Sequence, residues 1–206
     1  MSSDKACVFV VDDDDAVRGS LMRLARSAGW SAEGFPSADE FLARSPFDET
    51  GCLLLDVNMP GMNGPQLQRL MSTRSWTLPV VFLTGAADVP TCAEAMKQGA
   101  VDFLLKPVDE EALLQALERA VARHEETRRS GQRQASIRAR LDRLSSRERE
   151  VMHGVIKGRL NKQIGDELGI VEKTVKVHRA RVMEKLEVRS VAQLVQLWGE
   201  LGTGER

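Results

Sequence analysis

Three absences set the first limits on this chain of 206 residues. Its only cysteines, Cys7, Cys52 and Cys92, stand 45 and 40 residues apart with no CxxC pair. That spacing suits neither a zinc site nor a redox dithiol and predicts buried thiols. No run approaches the ~18 consecutive apolar residues of a membrane helix, and Met1 to Lys5 lacks the layout of a secretory signal. A cytoplasmic protein without a membrane partner is therefore expected. Net charge is nearly absent too: 29 Lys and Arg against 30 Asp and Glu give −1, which on its face argues against a nucleic-acid partner. The balance is a cancellation. Residues 1–125 carry 11 basic and 19 acidic side chains, and residues 126–206 carry 18 basic and 11 acidic. Charges of −8 and +7 indicate two modules with different partners, the second polyanionic.

Short apolar runs punctuate the first half: Val8 to Val11, Leu53 to Leu55, Val80 to Leu83, and Val101 to Leu105 interrupted by Asp102. Continuous runs predict strands buried on both faces, and a weaker one fits Ser31 to Phe35. Helical spacing lies between them, as in Val17, Leu21, Leu24 and Ala28. Strands alternating with helices predict a doubly wound α/β fold with a five-stranded parallel sheet. His124 to Arg140 is almost wholly polar, and residues 123–142 read as a polar helical linker between a domain at 1–122 and another at 143–206. The latter holds no strand-like run and predicts four helices: Ser146 to Lys157, Lys162 to Leu168, Glu172 to Glu187 and Val191 to Trp198. Ser145 with Glu148 forms a capping-box start, and Gly158, Gly169 and Gly199 supply stops.

In a parallel α/β sheet, ligands gather at the carboxyl ends of the strands. The sequence places Asp12 to Asp15 after the first strand, Asp56 after the third, Thr84 after the fourth and Lys106-Pro107 after the last. Clustered carboxylates need a compensating cation, and an all-oxygen set suits Mg²⁺. With a lysine beside it, such a site could transfer a phosphoryl group to Asp56. The acid run alone is also what a solvated helix N-terminus attracts. No EF-hand spacing is present.

Val10-Val11-Asp12-Asp13, Leu55-Asp56-Val57-Asn58-Met59-Pro60-Gly61 with Gly64, Leu83-Thr84-Gly85 and Phe103-Leu104-Leu105-Lys106-Pro107 together resemble a response-regulator receiver domain. The resemblance implies phosphorylation of Asp56 by a sensor histidine kinase. It implies Mg²⁺ or Mn²⁺ held by Asp13, Asp56 and the backbone carbonyl of Asn58, with Asp12 assisting. Thr84 and Lys106 would hold the phosphoryl oxygens, and Lys106-Pro107 would be cis. Thr84 and Phe103 would form the switch, with a plain core side chain the lesser reading of Phe103. The face built from the fourth helix, last strand and fifth helix would then dimerise.

Two short helices and a longer basic third describe a helix-turn-helix. Advancing ~100° per residue from Lys173 puts Val175, Val182 and Leu186 on one side and Lys173, Lys176, Val177 and Ala180 on the other. The second stripe, flanked by Arg181 and ending with Lys185, suits DNA contact, or simply a solvated basic face. Leu144 to Val151, Gly158, Asn161-Lys162-Gln163-Ile164, Thr174-Val175-Lys176-Val177-His178 and Lys185-Leu186 are similar to the LuxR-type DNA-binding domain. Joined to a receiver, they resemble the NarL/FixJ family of two-component response regulators, on its FixJ-like side. The resemblance implies base contacts from Lys176 and Val177, with Lys162, Lys173, Thr174, His178, Arg179 and Arg181 completing the DNA-binding set. Leu160 and Val171 depart from the family's Ser or Thr helix caps, Gly165 from its Ala, and Ala180 from a basic reader. Asn161 is expected to cap its helix instead, and DNA affinity to lean on dimer formation.

The expected function is a transcription regulator, not an enzyme, that dimerises on phosphorylation and binds inverted repeats in double-stranded DNA, with RNA polymerase a further candidate partner. A phosphatase or phosphotransferase of the haloacid-dehalogenase type also uses an Asp nucleophile and Mg²⁺. It needs a second acid two residues on, where this chain has Asn58. A receiver that binds partners without phosphorylation is disfavoured by the full set of Asp12, Asp13, Asp56, Thr84 and Lys106.

Overall fold

A computed structural model describes residues 5–44, 49–85 and 89–201, with the side chains of 89–92 excepted. The first unit, ending at Arg128, alternates strand and helix: β1 (Cys7–Val11), α1 (Asp15–Ser27), β2 (Ser31–Phe35), α2 (Ala38–Arg44), β3 (Gly51–Asp56), α3 (Gly64–Thr73), β4 (Val80–Thr84), α4 (Val89–Lys97), β5 (Asp102–Leu105) and α5 (Glu110–Asp142). All strand pairs are parallel, in the order β2-β1-β3-β4-β5. This is the doubly wound sheet that the apolar runs predict, and the order reverses between β1 and β3.

Side-chain alternation divides the core into two layers. Phe9, Val11, Leu53, Leu55, Val80 and Phe82 meet Phe41 of α2, Leu67 and Met71 of α3 and Ala95 of α4. Val8, Val10, Cys52, Leu54, Val81 and Leu83 meet Leu21 and Ala25 of α1 and Leu113 to Val121 of α5. Both layers are needed because β1, β3 and β4 are buried throughout. The two edge strands are not: β2 is largely half-exposed and β5 has no fully buried residue. The expectation of strands buried on both faces is corrected there, because an edge strand has a neighbour on one side only. Cys7 and Cys52 are buried thiols on opposite layers, and desolvation pushes Cys52 up to about 12. The side chain of Cys92 lies outside the described residues.

The second unit, from Arg129, contains the end of α5, then α6 (Ser146–Ile156), α7 (Asn161–Leu168), α8 (Glu172–Lys185) and α9 (Val191–Glu200). Ile137 and Leu141 of α5 are buried with Val151, Met152, Ile164, Val175, Val182 and Leu194. A stretch that reads as polar linker therefore contributes two core side chains. Ser145 caps α6 through the expected box: its hydroxyl accepts from Glu148 N–H at 3.3 Å, and Glu148 Oε2 accepts from Ser145 N–H at 2.9 Å. Gly165 is explained by space, since a Cβ there would meet the Ile170 carbonyl oxygen at 2.6 Å. Among the described residues no helix is long and apolar enough to cross a membrane.

Candidate functional site

Strand register brings the chemistry to one edge. Val11 pairs with Leu55, Asp56 with Leu83 and Thr84 with Leu105. Asp12 and Asp56 thus stand level, with Thr84 one residue and Lys106 two residues further along the strand direction, at the point where strand order reverses and loops diverge. Helix α3 closes in beneath them. Its first residue, Gly64, donates its N–H to Val57 O at 3.1 Å, and a Cβ there would stand 2.4 Å from the carbonyl oxygen of Asp56. Asn63 and Gln66 form a reciprocal capping box that fixes this start.

Lys106 links the acids. Its Nζ lies 2.7 Å from Asp12 Oδ2 and 2.7 Å from Asp56 Oδ1. Each carboxylate has a second anchor: Asp12 Oδ1 accepts from Asp14 N–H, and Asp56 Oδ2 accepts from Asn58 N–H, both at 3.0 Å. Asp12 is wholly buried and Asp56 nearly so. Burial opposes the charge on Lys106, but the hydrogen bonds and charges of Asp12 and Asp56 outweigh it and hold its pKa above the ordinary lysine value. Burial raises the pKa of Asp56; Lys106 pulls it down, and the Asp12 charge adds to the rise. Two acids share one ammonium, so the site keeps an excess of negative charge.

The four consecutive aspartates separate into different tasks. Asp13 is exposed and stands apart from the Lys106 contacts. Asp14 is the N-cap of α1, its Oδ1 accepting from Ala16 N–H at 2.8 Å and Val17 N–H at 3.0 Å, and those bonds lower its pKa. Asp15 pairs with Arg18. Arg18, which the sequence reading passes over, also donates to the Asp12 carbonyl at 2.7 Å and so braces the acidic loop. Its spacing three residues after Asp15 is a helix-pair signal that could have revealed it.

Thr84 is buried, and its carbonyl accepts from Lys106 N–H at 2.7 Å. The Lys106-Pro107 peptide is cis, as expected. Phe103 is half-buried on the α2-α3-α4 side of the sheet, its ring centroid 5.8 Å from that of Phe82. The site is built from hard oxygen donors, the chemistry a Mg²⁺ ion prefers. Asp12, Asp13 and Asn58 follow β1 and β3, and Asp56 ends β3, but the three carboxylates do not close on one another as a cage; Lys106 stands between Asp12 and Asp56. The tight ligand-type group found among the described residues is Cys7, Glu33 and Glu49, where Arg44 pairs with both glutamates.

On the second unit, α8 follows the helical wheel. Val175, Val182 and Leu186 are buried, whereas Lys173, Lys176, Val177, Ala180 and Arg181 are exposed. Lys162 at the start of α7 is exposed as well, and Thr174 and His178 are half-buried. Lys176 pairs with Glu172 at 2.9 Å on the helix surface. Two expectations need correction. Lys185 does not continue the basic stripe: its Nζ is held by Glu148 Oε2 at 2.7 Å and Arg143 O at 3.0 Å. Asn161 does not cap α7; Leu160 is the cap residue, and Asn161 Oδ1 instead accepts from Arg179 at 3.1 Å. Gln163 reaches back to Leu160 N–H at 2.8 Å, compensating part of the missing cap.

Comparison with known proteins resolves what the two units are. Residues 8–118 match the response regulator receiver domain, and residues 142–198 match the bacterial regulatory proteins of the luxR family. The chain belongs to the two-component response regulators. It is 42% identical over 201 residues to nodulation protein W of Bradyrhizobium diazoefficiens, covering 98% of this chain and 88% of that one. The transcriptional regulatory protein FixJ of the same organism is 42% identical over 193 residues, 94% of each chain. Among solved structures, response regulator StyR is 46% identical with a TM-score of 0.87, covering 94% of this chain and 98% of that one. Full-length FixJ from B. japonicum is 40% identical with a TM-score of 0.60, covering 98% and 100%. This response regulator is accordingly a transcription regulator with a receiver and a LuxR-type DNA-binding domain. The phosphatase alternative has no support among these relatives.

Proposed function

We propose that a sensor histidine kinase phosphorylates Asp56 of this response regulator, and that the phosphorylated chain dimerises and binds inverted repeats in promoter DNA. The observation that carries this is Lys106 bridging the buried Asp12 and Asp56 carboxylates at 2.7 Å each. A lysine so placed neutralises charge where a phosphoryl group must arrive.

In the transfer, the phosphorus–nitrogen bond to the kinase histidine breaks, its electron pair stays on the imidazole, and a bond forms to a carboxylate oxygen of Asp56. Asp13, Asp56 and the Asn58 carbonyl, with Asp12 assisting, would hold Mg²⁺, which would supply neutralisation of charge on the transferring oxygens. Lys106 passes from the Asp56 carboxylate to a phosphoryl oxygen, keeping Asp12 as its second partner. Thr84, one position beyond the residue paired with Asp56, donates its hydroxyl to another phosphoryl oxygen. The catalysis is confined to the receiver's own phosphorylation and dephosphorylation.

The phosphoryl group selects among existing arrangements, and the differential contacts of Thr84 and Lys106 supply the bias. Phe103 shares β5 with the two residues before Lys106, so its rotamer responds to the same shift. The face of α4, β5 and α5 carries Met96 and Leu105, 45% and 54% exposed, which favours its use as the dimer surface. Residues 1–122 work as the receiver, residues 123–142 as the helical connection, and residues 143–206 as the DNA-binding domain, in the cytoplasm and with RNA polymerase as downstream partner. Lys176 and Val177 meet base edges; Lys162, Lys173, Thr174, His178, Arg179 and Arg181 meet the backbone and hold the register.

The test compares DNA binding by full-length wild type and Asp56→Asn, each with and without beryllofluoride and Mg²⁺. Tighter binding by the treated wild type alone is expected. Equal binding in all four conditions overturns phospho-control.

A further inference from the structure

Val171 and Leu160 are the most exposed large apolar side chains among the described residues, at 69% and 68%. Both occupy N-cap positions, of α8 and α7, where neither makes a side-chain cap hydrogen bond. At Leu160 the amide of Gln163 compensates in part. At Val171 an oxygen-bearing residue would stabilise the helix, and an isopropyl group in water gains nothing. Val171 is therefore unfavourable twice for the unit that carries it. It stands at the end of α8 that a helix-turn-helix presents to base edges.

The surroundings define what Val171 could meet. Lys173 and Arg181 on the same helix are exposed and positive, suited to phosphates, whereas Val177, beside the base-reading Lys176, is 45% exposed and apolar. The one apolar group on a base edge in the major groove is the C5-methyl of thymine. Val171 precedes the helix with an extended backbone, φ −73° and ψ 149°, so its side chain is not held to the face that carries Val177 and stands at the leading end of α8.

We propose that Val171 is a specificity-determining residue that reads a thymine methyl at a base pair other than the one met by Val177. The inference rests on the DNA-binding role given above and adds to it a base preference set by a side chain outside the basic stripe.

The experiment selects duplexes from a random pool with the full-length chain in beryllofluoride and Mg²⁺, then replaces each thymine of the selected site by deoxyuridine. Affinities are measured for wild type, Val171→Ser, Val177→Ala and Leu160→Ser. One deoxyuridine position should weaken wild-type binding about fourfold, the equivalent of about 0.8 kcal/mol for a buried methyl. It should be neutral for Val171→Ser and still felt by Leu160→Ser. Serine restores a cap, so Val171→Ser should melt no lower than wild type, which separates lost reading from lost folding. The inference is overturned if every deoxyuridine is neutral for wild type, or if the sensitive position persists in Val171→Ser. If the pool yields no enriched sequence at all, sequence-specific DNA recognition itself is overturned along with it.

Discussion

His124 accepts the backbone N–H of Gly51 on its Nδ1 at 2.9 Å. This joins the buried face of α5 to the first residue of β3, the strand that ends in Asp56. The Nδ1 that accepts must be unprotonated, and Nε2 lies 3.5 Å from the Thr77 hydroxyl. Desolvation, then the nearby Arg128 charge, lower the pKa of His124.

A folded-state pKa below the unfolded value of about 6.5 means that the unfolded chain takes the proton first as pH falls. The first unit should be most stable above about pH 6.5 and lose up to about 1.4 kcal/mol per pH unit below it, until the folded pKa is reached. Urea midpoints of wild type and His124→Gln at about pH 7.5 and about pH 5.5 test this. The wild type should fall more steeply between them; parallel declines would remove His124 as the cause.

Lys106 compensates two buried acids, so removing it leaves like charges facing each other. Lys106→Ala without divalent ion should lose up to about 3–5 kcal/mol of stability. Added Mg²⁺ should recover more stability in that variant than in wild type, since the cation replaces the missing ammonium. Thermal melts with and without Mg²⁺ measure the difference.

Gly64 permits α3 to start against the carbonyl of Asp56. Gly64→Ala places a Cβ 2.4 Å from that oxygen, and the required backbone shift should cost about 1–3 kcal/mol. Because the displaced atom belongs to Asp56, the proposed phosphoacceptor, the rate of its phosphorylation by a small phosphodonor should fall as well. Gly29→Ala, at a glycine remote from the acidic loops, serves as the control for stability loss without rate loss.

In the second unit, Glu148 combines a cap with an ion pair. The hydrogen bond from Lys185, then that from Ser145 N–H, lower its pKa. Its contribution is therefore present above the ordinary carboxylate range and is lost as pH falls through the depressed value. Glu148→Ala should lower stability by about 0.5–2 kcal/mol through the cap alone, whereas Glu148→Gln should keep the box and lose only the charged bond. Melting of both variants at neutral and acidic pH distinguishes the two parts.

The sheet was legible because its three inner strands are buried throughout and carry continuous apolar runs, and the acidic edge because Asp12, Asp56 and Thr84 each follow such a run directly and Lys106 follows the apolar run of the edge strand β5. The division of labour within Asp12 to Asp15 was not. Four identical residues carry no periodic signal, and only the N-cap geometry of Asp14 and the Arg18 pairing separate them. The polar stretch before residue 142 concealed Ile137 and Leu141, whose spacing of four, followed by Leu144 three later, was the signal of a buried stripe. Lys185 and Asn161 were misassigned because side-chain partners from distant segments, Glu148 and Arg179, decide where they point.

The most direct test of the central claim is intact-mass measurement after incubation with phosphoramidate and Mg²⁺. Wild type should gain one phosphoryl group, mapped to Asp56 by borohydride trapping, and Asp56→Asn should gain none. Equal incorporation in the two proteins would contradict the assignment of Asp56 as phosphoacceptor.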